Sequence, residues 1–325
     1  MRKSLKALVV GINDYPKSRL HGCINDATEF KNLIARNGDG SPNFEVRLET
    51  TVGTKSVLKE MISKLFAGDC DTIVLYFSGH GFVSELGGYI VTPDYKAYDE
   101  GVSMDEILKL ANKSKAKDKI IILDCCYSGA IGQQKVGDHN AIHIAEGVTI
   151  LTSSRDIETS AEINGHGVFT NLLLEALRGG AADVTGHISP GSIYAYIDSA
   201  LGEWDQRPVF KTNVTRFTSL RTVIPSVPPD ILRKLTIYFK KPDQELGLDP
   251  SFEDTNSNDK EHNVIKPYAD PENVAIFKHL QKFQSVGLVV PVNADYMYFA
   301  AMNSKSCKLT ALGYHYWKLV KEDKI

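Results

Sequence analysis

Two short strings hold the side chains of this sequence that are best suited to covalent chemistry: Ser78-Gly79-His80-Gly81 and Asp124-Cys125-Cys126-Tyr127-Ser128-Gly129. A thiol is a strong nucleophile near neutral pH only as its thiolate, and an imidazole held across a crevice from it supplies the base. Taken singly, His80 also suits a loop histidine between glycine turns, and Cys125 and Cys126 suit small apolar core positions. Taken together they describe a thiol and imidazole pair for attack on a carbonyl. Gly79 and Gly81 free the backbone around His80, so that the ring can project and a neighbouring N–H can face an oxyanion.

Strands must bring the two strings together. Ile73 to Phe77 and Ile120 to Leu123 are continuously apolar runs, the pattern of strands covered on both faces. The strings follow these runs directly and so lie at strand C-termini, where open α/β sheets place their ligands. Side chains alternate along a strand, which puts Asp124 and Cys126 on one face and turns Cys125 away; the same parity sets Ser78 beside His80. Tyr127, Ser128 and Gly129 end the second strand.

The surrounding chain alternates short β-branched runs with helix-like segments, the order of an α/β fold with a mostly parallel sheet. Ala27, Phe30, Leu33 and Ile34 fall at helical spacing, with Asn37 and Gly38 as a stop. Ser189 and Pro190 begin another helix as N-cap and first residue, and Arg207-Pro208-Val209-Phe210 opens the last strand of this part. The texture changes at Pro225. Residues 225–265 read as a polar, acidic linker with a short helix marked by Leu232, Leu235, Ile237 and Phe239. Residues 266–325 read as a helix at 273–283, strands at 287–292 and 296–302 around the turn Asn293-Ala294-Asp295, and a final helix, which is the ending of a winged-helix fold.

Bulk composition narrows the function. The chain has 325 residues, 42% apolar and 24% charged, enough for one large and one smaller domain. A formal net charge of -3 gives no overall attraction to nucleic acid or an anionic membrane. Lys6 and Asn13 interrupt the first apolar run too early for a signal peptide, and no stretch approaches the roughly 20 residues of a membrane span. A cytoplasmic address is expected. Five cysteines without a CxxC pair argue against a disulfide framework or a zinc ribbon.

With the motif LHGCINDA at 20–27, the string GHGVFTNLLLEALRGG at 165–180 and the late RPVF strand, the chain from about Ala7 to Val214 resembles the caspase-fold peptidases, and especially their metacaspase-like branch. That resemblance implies a cysteine endopeptidase domain at 1–224. The aspartate two residues before the metacaspase nucleophile matches Asp124, which favours Cys126 over Cys125. It further implies an oxyanion hole from the backbone N–H groups of Gly81 and Cys126, and an acidic pocket lined by Cys23, Asp26, Ser78 and Asp124 for a substrate Arg or Lys. On residue type alone, Asp26 also suits the first turn of an exposed helix, favoured there by the dipole.

Many metacaspases use calcium. The resemblance offers Asp94 and Asp105 as ligands, but Met104 replaces one of the usual adjacent aspartates, so the expectation is no cofactor, with these two as weak metal candidates. Lys135, within residues 132–147, is a candidate self-cleavage site. In residues 266–325 eight Lys face five Asp or Glu and no Arg. That is thin for phosphate contacts, so the small module is expected to dock a regulatory protein, with Tyr296, Tyr298, Tyr314, Tyr316 and Trp317 as interface candidates. The pairing resembles bacterial immune or signalling effectors. A DNA-binding regulator with a protease-derived domain and an inactive scaffold are the competing readings.

Overall fold

The computed structural model describes residues 4–85, 87–97, 99–125, 143–153, 166–202, 207–257 and 264–325. Two compact units divide at Ile224 and Pro225. The first contains β1 (Leu5–Gly11), α1 (Cys23–Ile34), β2 (Glu45–Glu49), α2 (Lys55–Ala67), β3 (Thr72–Ser78), β4 (Gly81–Ser84), β5 (Gly87–Ile90) and β6 (Val102–Ser103). It continues with α3 (Met104–Lys113), β7 (Asp118–Asp124), β8 (Val148–Thr152), α4 (Val168–Glu175), β9 (His187–Ile188), α5 (Pro190–Ala200), β10 (Val209–Asn213) and β11 (Arg221–Thr222).

The main sheet has the order β10-β8-β7-β3-β1-β2; its strands run parallel except for β10, which is antiparallel to β8 at one edge. The two central strands are apolar along their length because both faces are covered. Ile73, Leu75 and Phe77 join Leu58 and Ile62 of α2 and Ile107 and Leu108 of α3 in one core. Val74 and Tyr76 join Phe30 and Ile34 of α1, Leu173 of α4 and Ile193 of α5 in the other. Alternation therefore assigns each strand position to a helix layer, and this assignment sets the chemistry at the strand ends. A separate antiparallel sheet, β4-β5-β6, continues directly from the histidine string.

Ser189 caps α5 as expected, accepting from the Ser192 N–H at 3.1 Å with Pro190 at the first helical position.

The second unit holds α6 (Pro229–Leu232), α7 (Leu235–Tyr238), β12 (Glu245–Gly247), α8 (Pro271–Ser285), β13 (Val289–Val292), α9 (Met297–Met302), β14 (Ser306–Leu309) and α10 (Ala311–Lys321). Two expectations need correction. The described residues within 225–265 are built into this unit in place of a linker: Leu232, Leu235 and Phe239 are fully buried, and β12 pairs with β14. The polar stretch is held by buried hydrogen bonds that its composition conceals. Asn256, 1% exposed, donates to the carbonyls of Pro250, Ile265 and Pro267 and accepts from the Ile265 N–H.

The expected strand at 296–302 is instead largely the helix α9, so β13 meets β14 across a helical connection and not a tight hairpin. Met297, Ala300 and Ala301 are its buried residues, the three-to-four spacing of a helix, which the alternating Tyr296, Tyr298 and aromatic neighbours mask. Tyr316 and Trp317 belong to the core, with Trp317 Nε1 donating to the Phe239 carbonyl at 2.6 Å, while Tyr296, Tyr298 and Tyr314 are exposed.

Candidate active site

Parallel pairing sets Ser78 of β3 against Asp124 of β7 as the last partners of their ladder, and the Gly79 N–H still reaches the Asp124 carbonyl at 3.3 Å. In the sequence His80 and Cys126 each follow this pair by two residues. The expected nucleophile Cys126, and with it the partner N–H of the oxyanion hole and Lys135, lies outside the described residues.

His80 is held by the loop after β1. Its Nε2 lies 2.7 Å from the Ser18 carbonyl, which can only accept, so the ring proton sits on Nε2 and Nδ1 is the basic nitrogen of the neutral ring. The Tyr15 hydroxyl accepts from the His80 backbone N–H at 3.1 Å and donates to the Val91 carbonyl at 3.1 Å, and the two rings meet edge to face with centroids 4.5 Å apart. Gly79 serves space more than torsion. A Cβ there would stand 2.6 Å from the Tyr15 hydroxyl oxygen. Strand β3 ends at Ser78, so the alternation that sets Ser78 beside His80 stops one residue early: Ser78 turns to Asp26, and His80 turns onto Tyr15 and Ser18.

An acidic recess lies on the α1 and α4 side of the sheet. Cys23 and Asp26, three residues apart on α1, share a helix face, and both are buried. Asp26 accepts from the Ser78 hydroxyl at 3.1 Å through Oδ2 and from His166 Nδ1 at 2.7 Å through Oδ1. Asp124 accepts from the Thr170 hydroxyl at 2.6 Å, and the Tyr76 hydroxyl lies 2.7 Å from the same Thr170 oxygen, donating to it in turn. The alternative reading of Asp26 as an exposed first-turn residue is excluded, since it is 2% exposed. Burial, then the neighbouring Asp124, pushes Asp26 up to about 7, while the bonds from His166 and Ser78 pull the other way. Burial also raises Asp124, against the Thr170 bond.

His166, Gly167 and Thr170 escaped the sequence reading as site residues, although the string containing them was noted. His166 bridges Asp26 and, at 3.9 Å, Glu29. A Cβ on Gly167 would lie 3.1 Å from an oxygen of Asp124, so a side chain there would crowd that carboxylate. The available signal was their place at the start of α4, whose first turn faces the ends of β3 and β7.

Cys125 is buried in the α2 and α3 core, on the opposite face from Asp124, as alternation requires. Burial raises the thiol of Cys70 and pushes Cys307 up to about 12, so neither suits nucleophilic work.

The metal candidates Asp94 and Asp105 both stand at helix starts. Asp94 accepts from the Lys55 backbone N–H at 3.0 Å, at the start of α2, and from the Thr92 hydroxyl at 2.6 Å. Asp105 stands in the first turn of α3, where the helix dipole favours a carboxylate. Among the described residues no three His, Cys, Asp or Glu side chains gather as a metal site would need. Replacing Asp94 by Ala is expected to cost about 1 kcal/mol through the lost helix cap. Thermal melts should show a fall of a few degrees that is equal with calcium and with a chelator; a fall seen only with calcium would restore Asp94 as a ligand.

The larger cavity, about 470 Å³, lies at the opposite rim near Thr72 and Lys119. Several of its charges are engaged locally: Lys117 pairs with Asp71 at 3.2 Å, Asp118 accepts from Thr218, and Lys119 donates to the carbonyls of Ala116 and Glu146. Size alone would therefore mislead here.

This geometry agrees with the comparisons. The caspase domain family model matches residues 4–217, so the chain belongs to that family. Metacaspase-9 of Arabidopsis thaliana is 36% identical over 150 residues, covering 40% of this chain and 45% of that protein. The chain thus spans under half the length of this curated relative. The crystal structure of caspase-1 from Spodoptera frugiperda matches at 15% identity with a TM-score of 0.47, over 68% of this chain and 91% of that one. No helix among the described residues is long and apolar enough to cross a membrane.

Proposed function

We propose that this peptidase cleaves protein chains after Arg or Lys through a Cys126 and His80 dyad. The observation that carries the reading is the shared ladder end: Ser78 and Asp124 pair in register, with one motif residue two positions beyond each. Nδ1 of His80 takes the Cys126 proton as sulfur attacks the carbonyl, and the N–H groups of Gly81 and Cys126 hold the oxyanion. The C–N bond then breaks as His80 returns the proton to the leaving amine. Water hydrolyses the thioester by the same route and restores the thiol.

The substrate cation enters the recess of Asp26 and Asp124, lined also by Cys23 and Ser78. Its charge offsets the like-charge and desolvation penalties that both carboxylates carry when the recess is empty. A peptide library profiled with wild type, Cys126→Ala and Cys125→Ala tests the reading; cleavage with no preference for Arg or Lys would remove the specificity.

The raised Asp26 carboxyl yields opposed pH signs. Its folded value, about 7, lies above the ordinary 3.8, so the folded state binds the extra proton between them. The stability contribution of Asp26 is full below about pH 4 and is lost as pH rises through 7. Capture of a guanidinium should instead improve over the same rise. Urea unfolding and kcat/KM on an arginyl peptide, each measured from pH 5 to 8, should move in opposite directions, and Asp26→Asn should remove the Asp26 component from both. Parallel pH dependence in the two proteins would refute it.

The small module is assigned protein docking. Lys278, Gln281, His279 and Lys282 are the polar side chains of its candidate recognition helix, and two are engaged within the module: Lys278 with Asp254 at 3.5 Å and His279 with the Tyr238 hydroxyl at 2.7 Å. Duplex DNA binding with a steep salt slope would favour the regulator reading instead. A role as a triggered immune or signalling effector follows this docking assignment, and a cytoplasmic address goes with it.

A further inference from the structure

Beside His80, on the side of its Nε2 contact, lies a cavity of about 270 Å³ walled by Tyr15, Pro16, Phe82, Val91, Pro93 and Tyr95. None of Asp26, Ser78 or Asp124 lines it, so it is separate from the acidic recess. Its size suits one large side chain, being below the usual range for small-molecule pockets. Three of its polar groups are committed elsewhere: the Tyr15 hydroxyl to His80 and Val91, the Thr92 hydroxyl to Asp94, and the Ser18 carbonyl to His80. The wall is mostly apolar surface, including the half-open ring of Tyr95 set edge to face against Phe82 at 6.2 Å. Among the described wall residues Lys17 is the one fixed charge, and it is exposed.

We propose that this cavity seats the apolar side chain of the substrate residue that directly follows the scissile bond. The inference rests on the dyad reading above and extends it to the leaving side. In acyl transfer the general acid must reach the departing nitrogen, so the chain beyond that nitrogen runs along the imidazole. A pocket that has His80 and Gly81 in its wall and excludes the acidic recess therefore receives the departing segment. An apolar side chain gains by burial there, an acidic or glycine residue does not, and a second Lys or Arg would be desolvated beside Lys17.

The test uses the full chain and two substrate classes sharing Arg before the cleaved bond: an arginyl coumarylamide that ends at the leaving group, and quenched fluorescent peptides with Leu, Phe, Gly, Asp or Lys after the bond. Wild type should favour Leu and Phe over Gly and Asp by about tenfold in kcat/KM, with Lys poorest. Tyr95→Ala and Phe82→Ala should each compress that ratio severalfold once normalised to coumarylamide turnover by the same variant. Coumarylamide turnover with a flat leaving-side profile in wild type would overturn the subsite alone. No turnover of either class would overturn the dyad reading, and the subsite with it.

Discussion

Cys126→Ala and His80→Ala should each lower kcat/KM by more than about a thousandfold, and the double variant should be scarcely worse than either single one. A thiol without its base and a base without its thiol fail in the same step, so the losses cannot add. Cys125→Ala is the internal control. Its side chain lies in the α2 and α3 core, on the face away from Asp124, so its loss should cost about 1 kcal/mol of stability and leave turnover near wild type. Peptide hydrolysis and a urea titration on the four variants separate the two effects. Activity lost in Cys125→Ala and retained in Cys126→Ala would mean that the strand is read one residue out of register.

The second large effect is expected at the acidic recess, where activity and stability should move apart. Asp26→Asn and Asp124→Asn should each lower kcat/KM for arginyl peptides by about a hundredfold or more, the scale of removing one partner from a desolvated, hydrogen-bonded charge pair. Yet Asp26→Asn should leave the protein at least as stable near pH 8. Wild-type Asp26 is ionised there against burial and against Asp124, and the amide relieves both penalties. Its cost is one mismatched contact, with either His166 or Ser78. A general folding defect would instead lower stability and activity together, and that result would demote the recess to a structural network.

Legibility differed between elements for identifiable reasons. The parallel sheet was readable because Ile73 to Phe77 and Ile120 to Leu123 must be apolar on both faces, which leaves a continuous run. The start of α5 was readable because Ser189 and Pro190 act on adjacent backbone groups. The second unit was harder. Its polar segment after β12 folds through Asn256, whose four hydrogen bonds involve residues from Pro250 to Pro267, and composition does not encode such closure. In α9 the exposed aromatics suggested a strand, and the burial of Met297, Ala300 and Ala301 against neighbouring elements decided otherwise.

Sequence by itself determined which residues could react and which strand ends carry them, because apolar run length, side-chain parity and glycine placement act over a few neighbouring peptide units. Tertiary structure decided which side chains meet. His166, just before α4, and Thr170 of α4 reach Asp26 and Asp124, Ser18 orients His80 from 62 residues away, and Asp94 accepts a hydrogen bond at the start of a helix. Each of these contacts joins segments far apart in the chain, and only packing across the sheet sets their distances, and with them the burial that raises one carboxyl and the hydrogen bond that places one proton.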